Sequence, residues 1–256
     1  MKLIVCGKGG SGKSVISALL AKHMAKRGYE VLVIDNDESN FGLHQLLGME
    51  IPEDFTRFFG GKKTIGEKLL GFIKEVGMKK ESEVEFLEKG VEFDDIPERY
   101  LSQKGKIKLL AVGKIHEFGE GCACPINALS RELLKNLRLK EGEIAIVDAD
   151  AGIEHFGRGI EEGIDLILMT IDPTYESLAL AKKVLHLGLG QAKVYYVVNK
   201  YSEEIKDASM NSLDPDRVVT CIPLNKEIFR ASLEGRELSL DLKEIEELSD
   251  WVAKKI

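Results

Sequence analysis

Short apolar runs alternate along this chain with segments whose apolar residues return every three or four positions. Leu3-Ile4-Val5-Cys6 is the first run, and Ile16, Leu19, Leu20, His23 and Met24 then trace one stripe of a helix that stops at Arg27-Gly28. The segments Tyr29 to Asp35, Ile107 to Val112, Ile144 to Asp148, Asp165 to Ile171, Lys193 to Asn199 and Arg217 to Ile222 repeat the character of the first run. Their central residues are apolar on both faces, as strands covered by helices on each side must be. Asp172-Pro173-Thr174 caps a helix through Leu187, and Leu240, Leu242, Ile245, Leu248, Trp251 and Val252 line one side of a terminal helix. This alternation predicts an α/β fold, a predominantly parallel twisted sheet with helices on both faces.

From Pro52 to about Lys108 the periodicity fades. Gly60-Gly61, Gly77 and Gly90 break the stretch into pieces that read as two helices and a hairpin. It is too long for a bare connection, so it is expected to be a structured insertion, 52–108, within a single domain spanning 1–256.

Composition narrows the classes of function. Lys and Arg number 36 against 43 Asp and Glu, a formal net charge of −7, which gives nucleic acid no electrostatic footing. The chain enters a strand directly, and no apolar run approaches the roughly 20 residues a membrane span needs. A cytoplasmic protein is the expectation. The terminal helix sets Asp241, Glu244, Glu246, Glu247 and Asp250 against Lys243, Lys254 and Lys255. A surface anchor carries a basic polar face, so this helix is expected to pack on the sheet rather than hold a membrane. Four cysteines are present, Cys6, Cys122, Cys124 and Cys221. Cys6 and Cys221 lie in strands and read as small core residues.

The first chemical signal is Gly7-Lys8-Gly9-Gly10-Ser11-Gly12-Lys13-Ser14, placed between the first strand and the first helix. A glycine, four residues, then Gly-Lys-Ser in that context is the phosphate loop of a P-loop NTPase. Backbone N–H groups across Gly9, Gly10, Ser11, Gly12, Lys13, Ser14 and Val15 would cradle phosphate oxygens. Lys13 would supply a point charge, and the Ser14 hydroxyl would ligand Mg²⁺. ATP and Mg²⁺ are the expected ligands. Asp148 ends an apolar strand and suits a hydrated Mg²⁺ as a Walker B residue. GTPases carry Asn-Lys-x-Asp after a late strand, and here Ser202 replaces that aspartate after Asn199-Lys200, so adenine is preferred to guanine.

The second signal is Gly121-Cys122-Ala123-Cys124-Pro125, read as a loop before a helix starting near Ile126. Two thiols one residue apart supply half of a tetrahedral site. The economical completion is the same pair from a second subunit, a sulfur-rich site for Zn²⁺, Ni²⁺ or an iron–sulfur cluster. A reduced, unliganded or redox-active pair is the competing reading. His116 lies near these thiols without a trusted ligand spacing.

With its second lysine, Lys8, the phosphate loop resembles the deviant Walker A group of the ParA/MinD/nitrogenase-iron-protein superfamily. The resemblance implies that Lys8 reaches across a two-fold axis to the partner's nucleotide, making ATP the joint of a homodimer. Asp35-Asn36-Asp37 looks like that group's switch I, with Asp37 orienting or deprotonating the attacking water and Asp35 holding Mg²⁺ through a water or fixing the loop. The family often has proline after the second aspartate, where Glu38 stands here. Gly152 would be the switch II glycine. Asn199 would bond the base edge, and the segment from Pro223 would line it. Together with the Cys-x-Cys and the run Asp148-Ala149-Asp150-Ala151-Gly152-Ile153-Glu154-His155, the phosphate loop is similar to CooC-type ATPases.

That narrower likeness implies an ATP-dependent metallochaperone, with nickel insertion into carbon monoxide dehydrogenase or a related client coupled to ATP hydrolysis. Two other classes stand beside it. One is a cluster carrier like the nitrogenase iron protein, whose ligand cysteines are widely spaced, unlike Cys122 and Cys124. The other is a ParA/MinD-like positioning ATPase, which the acidic balance disfavours.

Overall fold

The computed structural model describes residues 1–77, 84–87, 90–115, 124–149, 163–186, 193–205 and 213–256. Among them, eight strands form one sheet: β1 (Lys2–Gly7), β2 (Glu30–Asn36), β3 (Leu101–Lys104), β4 (Ile107–Ala111), β5 (Glu143–Ala149), β6 (Leu166–Ile171), β7 (Lys193–Tyr201) and β8 (Val218–Pro223). Their order across the sheet is β3-β4-β2-β5-β1-β6-β7-β8. Every pairing is parallel except the β3/β4 hairpin at one edge. The expected fold is therefore the observed one.

Side chains alternate across each strand, and the two faces form separate cores. Leu3 and Val5 of β1, Val31 and Val33 of β2 and Ile144 and Ile146 of β5 face α1 (Lys13–Lys26), α2 (Leu43–Leu47) and the terminal helix, in one buried cluster with Leu19, Leu47, Ile245 and Leu248. Ile4 and Cys6, Leu32 and Ile34, and Ala145 and Val147 face α3 (Lys62–Val76), α4 (Cys124–Asn136) and α5 (Tyr175–His186), packing with Ile65, Leu129, Leu133 and Val184. Burial pushes the Cys6 thiol up to about 12, so it behaves as the apolar filler its strand position implies.

Several boundaries differ from the expectation. The helix after the thiols opens at Cys124 rather than near Ile126, so Cys124 belongs to its first turn and not to the loop. Within the insertion the described residues hold one α-helix, α3, and short 3₁₀ turns such as Phe55–Phe59, in place of two helices. The hairpin is present as β3/β4. Two short helices went unread, α2 and α6 (Lys226–Glu234), because each offers too few turns for periodicity to register. The terminal helix, α7 (Lys243–Ala253), starts after Leu240 and Leu242, which still pack against the same core. Among the described residues no helix is long and apolar enough to cross a membrane.

Candidate nucleotide and magnesium site

Parallel strands deliver their following loops to one edge of the sheet, and here β1, β2 and β5 bring the phosphate loop, the segment after Asp35 and the end of the Asp148 strand together. The chain leaves β1 through Gly7, at φ +145°, where a Cβ would lie 2.3 Å from the Thr170 carbonyl oxygen. It enters α1 through Gly12, at φ +102°, where a Cβ would meet the Asn199 side-chain nitrogen at 2.2 Å. Neither position tolerates a side chain. Between them Ser11 N donates to Lys8 O, closing the turn, and Lys13 begins α1 as a buried lysine.

A cavity of about 570 Å³ opens over this loop, within the range of small-molecule sites. Gly9, Gly10, Gly12, Lys13, Ser14 and Val15 line one side; Asp37, Ser39 and Asn40 line another; Lys200, Phe229 and Ser232 close the far end. Lys8 and Asp35 do not line it.

Asp148 is fully buried, and its two oxygens accept from Ser14 Oγ at 2.6 Å and Ser17 Oγ at 3.1 Å. Burial, reinforced by the charge of Asp35, pushes its carboxyl up to about 7. Ser14 Oγ also receives the Asn40 side-chain amide at 2.5 Å. A hydroxyl and a carboxylate at a phosphate cradle form an all-oxygen donor set, which fits Mg²⁺ rather than a softer ion. Ser14 and Asp148 are the residues that would hold it.

Asp35 and Asp37 diverge. Asp35 turns to the same face as Asp148, its register partner on β5, and its carboxyl is pushed up to about 6 by burial, against the pull of Lys114. Lys114, itself buried, donates to Asp35 Oδ2 at 2.6 Å, to Asp37 O at 2.6 Å and to Asn40 O. Asp35 Oδ1 also accepts from Asp37 N at 3.2 Å, so this carboxylate is bonded within the loop that follows it. Asp37 Oδ1 accepts from Ser39 N at 3.0 Å and Ser39 Oγ at 2.7 Å, so it caps the turn while lining the cavity.

The remaining residues divide between the cavity and its surroundings. Lys8 lies outside, its side chain 37% exposed, with Nζ 2.7 Å from Glu176 Oε2 near the start of α5. Asn199 directs its amide nitrogen to Ser11 O at 2.8 Å, bracing the loop from beneath. Pro223, expected to begin the base-lining segment, lines a separate depression with Tyr201 and Thr220, while Phe229 and Ser232 of α6 border the main cavity. Cys124 packs beside Phe72, Ile73 and Phe86 around Leu69, Val84 and Ala128. Cys122 and Gly152 lie outside the described residues, as do His116, Asp150, Glu154 and His155. Among the described residues, no three His, Cys, Asp or Glu side chains converge on one point.

Sequence reasoning missed Asn40, Lys114, Lys200 and Phe229. Asn40 carried the only usable signal, an amide in the short turn after the Asp35-Asn36-Asp37 strand end. Lys200, at φ +57°, returns its Nζ to Gly10 O at 2.5 Å.

Residues 2–238 match the CobQ/CobB/MinD/ParA nucleotide binding domain family. An uncharacterized ATP-binding protein of Methanocaldococcus jannaschii is 51% identical over 257 residues, covering 99% of this chain and 100% of its own length. The carbon monoxide dehydrogenase accessory protein CooC of Rhodospirillum rubrum is 34% identical over 244 residues, covering 92% of this chain and 88% of its own. Among solved structures, the septum site-determining protein MinD of Pyrococcus horikoshii, complexed with Mg-ADP, superposes with a TM-score of 0.66 at 19% identity, over 99% of this chain and 95% of that one. With its phosphate cradle, its Mg²⁺-fitting oxygens and a match running over nearly its whole length, the chain belongs to the CobQ/CobB/MinD/ParA nucleotide-binding family and is one of its P-loop ATPases.

Proposed function

We propose that this ATPase is a maturation factor for a metalloenzyme, closing as a homodimer on ATP and carrying nickel to carbon monoxide dehydrogenase or a related client. One observation carries the reading. Cys124 lies in α4, the helix that follows β4, whose Ile126 packs beside Gly113 just past β4, toward the edge of the sheet that carries the phosphate loop. The segment after β4 is tied to the one after β2 by Ile115 N donating to Glu38 O at 3.1 Å. A thiol toward that rim supports a subunit contact that would feel both metal and triphosphate. The likeness to CooC supports the choice of client.

In this reading Lys13 and the loop amides hold the phosphates, and Asp37 orients the attacking water. Lys8 leaves Glu176 to reach the partner's nucleotide, and Cys122 and Cys124 join the partner's pair around the metal. Bound Mg²⁺ supplies charge neutralisation at the phosphates, with Ser14 and Asp148 as its holders. Adenine lies toward Phe229 and Ser232. The coupling must be reciprocal, so metal must tighten ATP-driven pairing by the factor with which ATP tightens metal. The test is the variant with Cys122→Ala and Cys124→Ala. It should lose metal-induced dimerisation and stoichiometric metal while binding nucleotide as the parent does. Retained stoichiometric metal would refute the shared site.

A further inference from the structure

Lys114 is the most completely buried cation of the described chain's upper edge, with a side-chain exposure of 0%. It follows β4, and its acceptors lie 74 to 79 residues earlier. A lysine is retained in such a place only when its charge and its three N–H donors are all satisfied. Here all three have acceptors: the Asp35 carboxylate at 2.6 Å, the Asp37 carbonyl at 2.6 Å and the Asn40 carbonyl. The acceptors span the start, the turn and the end of the loop that follows β2. Two of them belong to residues whose side chains line the nucleotide cavity.

The tether extends to the phosphate loop. Asn40, its backbone held by Lys114, points its side-chain amide at Ser14 Oγ, 2.5 Å away. Ser14 in turn donates to Asp148 at 2.6 Å. From Lys114 to Asp148 the contacts form an unbroken chain through the loop.

We infer that Lys114 is a positioning residue for hydrolysis, pinning the loop after β2 so that Asp37 and Asn40 stand at fixed distances from the triphosphate. It does not line the nucleotide cavity and acts through those two residues. An ion pair serving only to neutralise Asp35 would need one of the three bonds. The two to backbone carbonyls fix the loop's course whatever the charge on Asp35.

The experiment separates positioning from charge compensation. Lys114→Met alone strands the Asp35 carboxylate in the interior and is expected to fold poorly, so the informative variant is Asp35→Asn with Lys114→Met, which removes both charges. The intact double variant is compared with the parent for cooperative unfolding, fluorescent-ADP binding, ATP turnover at saturating Mg·ATP, and hydrogen exchange at residues 38–42. Expected are cooperative unfolding, nucleotide affinity within about threefold of the parent, and kcat lower by roughly 10- to 100-fold, as misplacing a positioned group costs. The amides of Ser39, Asn40 and Gly42, now held by local bonds, should exchange faster, with α1 unchanged. Asp35→Asn alone leaves both carbonyl bonds in place, so its amides at residues 38–42 should exchange at the parental rate whatever its turnover. Parental kcat in the double variant, or parental exchange at residues 38–42 in it, would overturn the proposal.

Discussion

Asp35 and Asp148 stand opposite one another as register partners on β2 and β5, yet each is committed elsewhere, Asp35 to the ammonium of Lys114 and Asp148 to the hydroxyls of Ser14 and Ser17. Only one of the pair is balanced by a buried cation at bonding distance. Burial raises both carboxyls, Asp35 to about 6 and Asp148 to about 7. A raised carboxyl binds its proton more tightly in the folded chain than in the unfolded one. Its stabilising contribution is therefore fully present below the unfolded value of 3.8 and is lost as pH climbs through about 7.

In Mg²⁺-free, nucleotide-free buffer, the melting temperature should accordingly fall from about pH 4 to about pH 7 and level off above that. Asp148→Asn should flatten that slope, because an amide has no proton to lose. Mg²⁺ must displace the same proton, so its half-saturating concentration should drop as pH rises over this interval. A melting profile of equal slope in the parent and in Asp148→Asn would exclude Asp148 as the titrating group.

Asn199 occupies the space that a side chain at residue 12 would need. Gly12→Ala should weaken nucleotide binding severely, since the new Cβ displaces the brace and the backbone stays at a positive φ, a strain of roughly 1–3 kcal/mol. Asn199→Ala removes only the bond to Ser11 O. It should cost about 1–2 kcal/mol of stability and several-fold in nucleotide affinity. Calorimetric melting together with titration of a fluorescent ADP separates the two variants. Unchanged ADP affinity in Gly12→Ala would contradict the clash.

Lys8 and Glu176 form an exposed pair, and exposed pairs hold weakly. If Lys8 must leave Glu176 to engage a second subunit, Glu176→Gln should promote ATP-dependent pairing only a few-fold. Lys8→Ala should abolish it while leaving monomeric ADP binding intact. Sedimentation of each variant with a non-hydrolysable ATP analogue decides the point, and undiminished pairing by Lys8→Ala would remove Lys8 from the contact.

The sheet and the phosphate loop were legible because each is written locally. Apolar runs such as Ile144 to Val147 name a covered strand without reference to anything distant, and Gly12-Lys13-Ser14 needs only its flanking strand and helix. Lys114 was not legible: a lysine after an apolar run looks like a solvated one until chain 74 to 79 residues away folds over it. The same holds for Asp35, whose partner Lys114 arrives from beyond β4 and cannot be read from the residues around it. Cys124 was displaced from loop to helix for a smaller reason, since the Pro125 beside it sits comfortably in a first helical turn.

The central place of β1, between β5 and β6, bears on how the protein comes into being. The carbonyl that Gly7 must clear comes from Thr170, and the amide that braces Ser11 comes from Asn199. Although its signature is complete by residue 14, the cradle has no floor until some 185 further residues have been synthesised. A nascent chain bearing the whole motif is still no ATPase, and the onset of nucleotide retention during translation would mark the arrival of β7.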